Sequence, residues 1–391
     1  MIVEYFQKYK FLILYWIFLS STAPFIFFRW PGHPYKILTF ICLILMIIGF
    51  LVANKIIYDR SLLFILSLQF LYYSINFIIY QDISSFNLIV QLISLFISLT
   101  FLINLIGHTL FVRSFIIVLI VMGTGGVLNF VYHLIFGIIP FFRVEYGNDV
   151  SYFLGLTTTN VFISLNDLRV IRFAGFFDEP GTFGLFASFG LVLNRLYFKS
   201  KVYDIFLMCS GIFTFSLAFF FTSFFYIIFF YFNRKSISYF ISLSLVVALS
   251  FFILYSSNNL NLNFLYDLTF ARLQETYSGL EESNRGFLME HDLKLFLQNP
   301  FFGVGPAKYV AGANVFAIPA KYGIVGSFFF YAVLIWLILI IFNKKVNTGY
   351  IRVLFILLLS LFHRPELSSV LTLTIFYLII TSIKNKCLIR Q

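Results

Sequence analysis

Long apolar runs constrain this chain more than any other feature. Segments of roughly 17 to 22 residues follow one another with almost no charge, and a helix of that length crosses a bilayer core of about 30 Å. Charged residues make up only 11% of the chain and the mean hydropathy is +0.95, which excludes a soluble globular domain. The sequence therefore predicts an all-α, polytopic integral membrane protein.

The apolar pattern predicts about twelve transmembrane helices. The predicted spans cover residues 11–28, 37–53, 62–79, 86–106, 115–139, 181–198, 203–218, 220–232, 237–255, 325–342, 351–363 and 367–383. The run 203–232 is ambiguous, because one tilted helix and two short helices that meet near Ser216–Ser223 both fit its length. Two helices agree better with the distribution of basic residues.

The net charge of +11 is explained by membrane orientation rather than by nucleic-acid binding. With twelve spans and the N-terminus inside, most Lys and Arg residues between spans lie in cytoplasmic segments. The short outer loops carry only Arg29, Lys36 and Arg364, as the positive-inside rule expects. A single helix over 203–232 would place residues 233–235 outside and break this pattern. The sequence thus predicts a bilayer, and no nucleic acid, as a partner.

Two long loops, at about 140–180 and 256–324, face the periplasm in this orientation. They hold most of the acidic residues and several arginines, and loops of this length in a compact protein are usually functional or disordered. Their aromatic content and the lack of low-complexity sequence favour ordered, functional loops. A flippase or another transporter is the alternative class. Such a protein would be expected to carry its charges within the spans, and often an internal repeat, neither of which is visible.

The first candidate stretch is RFAGFFDEPGTFG, residues 172–184. Pro180 predicts the start of a helix, and Asp178 and Glu179 then lie at its positive N-terminal end, where carboxylates are stabilised. Helix capping is enough to explain Asp178. Glu179 stands among glycines and close to Arg172, which is unusual in a chain with so little charge and indicates a functional carboxylate.

The second candidate stretch, SNRGFLMEHDLKLFLQNPFFGVGPAKY, covers residues 283–309. It predicts a helix that Ser283 or Asn284 caps and that ends at Asn299–Pro300. One face, which we expect to pack on the bundle, contains Arg285, Met289, Leu293 and Phe296. The other faces carry Glu290, His291 and Asp292.

The GVGP turn that follows contains Gly303 and Gly305, whose backbone N–H groups could bind an anion, although a simple turn explains the same residues. A third stretch, HRPELSS, places His363 and Arg364 in a short outer loop, for which an interfacial turn is the alternative. The sequence contains no Walker loop and no metal-ligand spacing. We therefore expect neither ATP, another cofactor nor a metal. Arginines bind phosphate oxygens bidentately, so this set suits a lipid-linked phosphate or pyrophosphate.

RFAGFFDEPGTFG resembles the Arg-x-x-Gly-x-Phe-x-Glu-Pro-Gly signature of O-antigen polymerases of the Wzy type. NRGFL followed by NPFFGVG resembles the Arg-containing helix and the Asn-Pro-x-x-Gly-x-Gly turn of the O-antigen ligase and polymerase superfamily. The topology of about twelve spans with two large periplasmic loops resembles that superfamily over the whole chain. The resemblance implies a GT-C-like membrane glycosyltransferase.

The resemblance further implies a reaction at the periplasmic face of the bacterial inner membrane. A growing glycan on undecaprenyl pyrophosphate is transferred to a new lipid-linked oligosaccharide unit, without metal or nucleotide sugar, and a chain-length regulator is a possible partner protein. Arg172 and Arg285 match the motif arginines and would stabilise the leaving pyrophosphate. Glu179 is the first candidate for the general base and His291 the second. The candidates for binding pyrophosphate or glycan are Arg272, Gly303, Gly305, His363 and Arg364.

The related O-antigen ligases are the alternative within the enzyme class. Ligases carry a His-Asn pair before a Leu-rich helix and a Gly-x-x-Gly. Here AGANVFAIPAKYGIVG keeps Asn314, Gly323 and Gly326, but Ala313 stands where the histidine would be. This departure favours the polymerase and leaves the identity of the base open.

Overall fold

The computed structural model describes residues 2–29, 34–52, 57–81, 83–137, 140–146, 149–165, 168–232, 285–305, 309, 314–343, 348–363, 367 and 369–388. Most of these residues are helical. By length and composition, four helices can cross a bilayer, or five if a bent pair counts as one span. The predicted helical membrane protein is confirmed at this level, while the number of spans and their orientation stay predictions. The predicted span 237–255 lies outside the described residues.

The first part of the chain forms five helices. They are α1 Ile2–Ser20, α2 Pro34–Val52, α3 Arg60–Tyr80, α4 Ile83–Phe101 and α5 His108–Phe136, and a π-helical turn, Leu102–Ile106, follows α4. The first predicted span is shifted, because α1 ends at Ser20. The hydroxyl groups of Ser20, Ser21 and Thr22 donate to carbonyls of its last turn, and Pro24 follows. Serine and threonine compete in this way with the helical hydrogen bonds.

The described residues after Phe136 form eight further helices. They are α6 Pro180–Tyr197, α7 Lys201–Ile212, α8 Leu217–Phe230, α9 Arg285–Gln298, α10 Ala317–Phe330, α11 Ala332–Asn343, α12 Thr348–His363 and α13 Val370–Leu388. Helices α6 and α13 are buried along most of their length and meet edge to face at Phe189 and Phe376, with ring centroids 5.8 Å apart. A helix that is apolar and buried all round belongs to the centre of a bundle.

The ambiguous run at 203–232 is a helical hairpin. Helix α7 ends at Ile212 and α8 begins at Leu217. The hydroxyl groups of Tyr226 and Tyr231 donate to Asp204 at the start of α7. In one continuous helix, residues 204 and 231 would lie about 40 Å apart at 1.5 Å per residue. The prediction of two short helices is therefore confirmed.

The segment predicted as the first long loop folds largely into strands. Strands β1 Phe142–Tyr146, β2 Asp149–Phe153 and β3 Thr158–Thr159 form an antiparallel sheet in that order, and β4 Val161–Leu165 pairs with β5 Leu168–Arg172. The all-α prediction is incomplete here. These segments are rich in valine, isoleucine, threonine and aromatic residues, which favour strands.

The predicted span 325–342 is not one straight helix. It covers the end of α10 and nearly all of α11, and these two helices meet at a bend. Helices α10 and α11 are bent by 45° at Tyr331. Helix α10 is itself interrupted at Gly323, whose φ of 65° and ψ of −170° are not helical. Irregular backbone at such depth is tolerated only where other protein groups satisfy it.

Candidate functional site

The first candidate stretch crosses the N-terminal end of α6. The Ile26 N–H donates to the Phe176 carbonyl at 2.9 Å, and the Asp178 N–H donates to the Pro24 carbonyl at 3.0 Å. These bonds tie the stretch to the turn after α1. Phe177 packs on Phe186 of α6 with ring centroids 4.7 Å apart. The turn from β5 into α6 is therefore held on both sides by backbone and aromatic contacts.

Arg172, the last residue of β5, holds the tip of the α7–α8 hairpin. Its side chain is only 8% exposed. Its Nε donates to the Thr214 carbonyl and one terminal nitrogen donates to the Phe215 carbonyl, both at 3.1 Å. Both carbonyls belong to the turn between α7 and α8, and hydrogen bonds from a charged guanidinium are stronger than those between neutral groups. Two of its five N–H donors thus have an architectural task.

The two carboxylates before Pro180 differ in their contacts. Glu179 is the N-cap residue of α6, but its side chain makes no capping hydrogen bond. The Asp178 carboxylate accepts from the Thr182 hydroxyl at 2.7 Å, one turn into the helix. The local role predicted for Asp178 is therefore supported, although Glu179 occupies the cap position itself. Both carboxylates are partly exposed at the positive end of α6.

A second polar cluster surrounds Asp292 of α9. Asp292 is 0% exposed. Its Oδ2 accepts from the Tyr309 hydroxyl at 2.8 Å and from Asn314 Nδ2 at 2.5 Å, and its Oδ1 has no hydrogen-bond partner. Asn314 Oδ1 accepts in turn from the Phe316 N–H just before α10. Burial and the hydrogen bond to Asp292 raise the pKa of Tyr309 above its ordinary value, so this hydroxyl remains a donor.

His291 stands beside this carboxylate on the outer surface of α9. Its side chain is 46% exposed, and its Nδ1 lies 3.7 Å from Asp292 Oδ1. The buried face predicted for α9 is wrong, because Met289 is exposed and Asp292 faces inward. The helix packs on α10 and the residues before it, where Tyr309 and Asn314 offer donors to a carboxylate. Sequence spacing did not connect Asp292 with donors 17 and 22 positions away.

The turn Pro300–Gly305 fills the break in α10. The Ile324 and Val325 N–H groups donate to the Pro300 and Phe301 carbonyls. In the other direction, the Val304 and Gly305 N–H groups donate to the Ala320 and Lys321 carbonyls, at 2.9 and 3.1 Å. The turn therefore supplies both acceptors and donors to the two ends of the interrupted helix.

This arrangement corrects the expectation for Gly303 and Gly305. The Gly303 N–H donates to the Asn299 carbonyl at 2.9 Å, so both glycine amides already have carbonyl acceptors. The proposed anion contact is not made by these amides in the described arrangement. A Cβ on Gly303 would lie 2.5 Å from the Lys321 backbone, which shows that close backbone packing requires glycine here.

The remaining candidates are only partly described. Arg285 is the first residue of α9 and His363 the last residue of α12, each with its backbone alone described. Arg272 and Arg364 lie outside the described residues. Their predicted roles stay predictions.

The last helical pair connects the two candidate regions. Ser360 of α12 lines a small gap with Gly181 and Gly184 of α6. Just beyond, Leu367 and Leu373 line a cavity with Phe330 of α10. Ser360 therefore lies beside the start of α6, and Leu367 and Leu373 lie beside the end of α10.

No protein-family model, curated protein or solved structure matches this chain. Within the described ranges, no three His, Cys, Asp or Glu side chains come together as a metal site would require.

Proposed function

We propose that the protein is an O-antigen polymerase of the bacterial inner membrane, with its site on the periplasmic face. The observation that carries the proposal is the motif Arg172 to Gly181, in a chain with several helices apolar enough to span a bilayer. Its arginine and glutamate lie at the two ends of one tightly held turn over α6. The NRGFL and NPFFGVG stretches, on α9 and the broken helix α10, support the same assignment.

In the proposed reaction, the acceptor is a hydroxyl group of a lipid-linked oligosaccharide unit. The hydroxyl loses its proton to a general base, and its oxygen attacks the anomeric carbon at the reducing end of the growing glycan. The bond from that carbon to the pyrophosphate oxygen breaks, and undecaprenyl pyrophosphate leaves with the electron pair. Arg285 and Arg172, the two motif arginines, stabilise the charge on the leaving group.

The first experiment compares the surface polysaccharide of a deletion strain with that of the complemented strain. A polymerase predicts lipopolysaccharide capped with a single repeat unit in the deletion strain and a full ladder after complementation. A bare lipid A core would contradict the proposal, since a ligase or a flippase would produce it.

The second experiment tests the motif residues in the complemented strain. We expect Arg285→Ala to abolish long chains at normal protein levels, and Glu179→Gln to do the same where Glu179 is the general base. Arg172→Ala is less informative alone, because it also removes two bonds to the α7–α8 turn. It is therefore compared with Thr214→Ala, which keeps the backbone carbonyl, and scored only where size-exclusion profiles match the wild type. Normal ladders from both Arg285→Ala and Glu179→Gln would refute the assigned roles.

A further inference from the structure

Burial of the Asp292 carboxylate destabilises the fold unless hydrogen bonds or a charged partner compensate for the lost hydration. Two donors, Tyr309 and Asn314, converge on Oδ2, whereas Oδ1 is buried and has no hydrogen-bond partner among the described residues. A buried oxygen without a hydrogen-bond partner destabilises the fold, and more so when it belongs to a charged group. The His291 imidazole lies close to Oδ1, with its Nδ1 3.7 Å away. Asp292 is therefore hydrogen-bonded through Oδ2, and its other oxygen, Oδ1, lies next to the imidazole of His291.

We propose that Asp292 is a positioning residue that orients His291 as the general base of the transfer. Asp292 Oδ1 accepts from His291 Nδ1–H, which leaves Nε2 as the acceptor for the substrate proton. The 3.7 Å separation shortens when substrate binds, as catalytic hydrogen bonds commonly do. Tyr309 and Asn314 hold the carboxylate so that only Oδ1 is available to the imidazole. This inference rests on the polymerase function proposed above.

The exposure of His291 and the burial of Asp292 fit a base that contacts substrate and a carboxylate that only orients the base. His291 is about half exposed, so an acceptor hydroxyl can reach its ring, whereas Asp292 is fully buried and cannot touch substrate. During transfer, the acceptor O–H proton moves to Nε2, and the carboxylate stabilises the imidazolium that forms. The proton returns to solvent after undecaprenyl pyrophosphate has left. Glu179, the alternative base, lies on a different element at the mouth of α6.

The other charged groups described on α9 and α10 are Glu290, Lys294 and Lys321. On the same helix, Glu290 pairs with Lys294 at 2.7 Å, and the ammonium lowers the pKa of Glu290. From the elements packed against α9, Tyr309 faces the carboxylate directly, and Lys321 of α10 places its ammonium 5.2 Å from the Tyr322 ring. Among the described residues, Asp292 is thus the carboxylate that lies next to the His291 imidazole.

The test uses the full-length protein in lipid nanodiscs, with lipid-linked repeat units isolated from the deletion strain. We expect His291→Gln to lower kcat/KM about 100-fold or more and to remove the acidic limb of the pH–rate profile. Asp292→Asn should lower kcat and leave KM nearly unchanged, because the imidazole loses the carboxylate that orients it without losing a substrate contact. In the double variant, Asp292→Asn should add almost nothing to His291→Gln. Glu290→Gln, one position before the histidine, is the matched control and should behave as the wild type.

Three results separate the possible explanations. If the wild type forms no polymer from these lipids, the proposed function fails. If it forms polymer and His291→Gln keeps the wild-type rate and profile, this inference alone fails. Multiplicative losses in the double variant would make Asp292 a structural residue and overturn its positioning role. Should Asp292→Asn not fold, Asn314→Ala replaces it in the same cycle, because it removes one anchor and leaves the carboxylate in place.

Discussion

At the scale of single residues, the broken helix α10 depends on two glycines that face each other across one backbone contact. Gly303 and Gly323 have φ values of +69° and +65°. A Cβ on Gly323 would lie 2.2 Å from the Phe301 carbonyl oxygen. Both the left-handed conformation and the close approach exclude other residues, and the same turn places Asn314 and Tyr309 near α9.

Gly323→Ala should therefore destabilise the protein strongly. Left-handed backbone strain alone costs about 1–3 kcal/mol, and the clash with Phe301 adds to it. The measurement is thermal unfolding in detergent, followed by loss of the monodisperse peak. Gly107→Ala is the matched control, because its φ is +89° but nothing lies within 4 Å of its Cβ position. Equal losses of thermal stability in the two variants would show that the backbone contact contributes nothing.

At the scale of elements, a polar clamp joins the start of α3 to the end of α13. Asp59 caps α3 by accepting from the Ser61 and Leu62 N–H groups. Its other oxygen lies 3.3 Å from Lys384 Nζ, which also sits 4.3 Å from the centre of the Trp336 ring of α11. The Asp59 carboxylate thus caps α3 and pairs with Lys384 of α13, and Lys384 in turn contacts Trp336 of α11.

The two tasks of Asp59 can be separated by substitution. Asp59→Asn keeps a good cap and removes the ion pair, whereas Asp59→Ala removes both. We expect Asp59→Ala to cost about 1 kcal/mol more than Asp59→Asn, since that is the usual worth of an N-cap. Thermal unfolding of both variants, with Lys384→Met as the partner change, measures the difference. Indistinguishable stabilities for the two Asp59 variants would contradict a capping role.

At the scale of the whole molecule, the α7–α8 hairpin decides where the later part of the chain lies. Its legs are about 18 and 21 Å long at 1.5 Å per residue, which is less than a bilayer core of about 30 Å. Arg172, at the end of β5, hydrogen-bonds to the tip of this short hairpin and so joins it to the strands. Both ends of the hairpin return to the end of α6 that carries Lys199.

This arrangement predicts that topology reporters after Lys199 and after Phe232 report the same compartment. We expect both to be cytoplasmic and a reporter at Gly155 to be periplasmic, in agreement with the distribution of basic residues. Opposite compartments for Lys199 and Phe232 would exclude the hairpin. A reporter after Asn258, outside the described residues, should be periplasmic, and a cytoplasmic result would move the proposed site to the wrong side of the membrane.

The sequence by itself determined the helical membrane class, because lipid admits few alternatives to long apolar helices and their length is set by the bilayer. It also determined the start of α6 at Pro180, whereas the basic residues only favoured two helices within 203–232 and the structure decided between one and two. Only the tertiary structure decided that Arg172, at the end of β5, contacts the tip of the α7–α8 hairpin. It also decided that Asp292 is buried beside His291. Only it showed that Gly303 and Gly305 give their amides to a broken helix. Those outcomes depend on contacts between residues far apart in the chain, which local periodicity and charge counts do not encode.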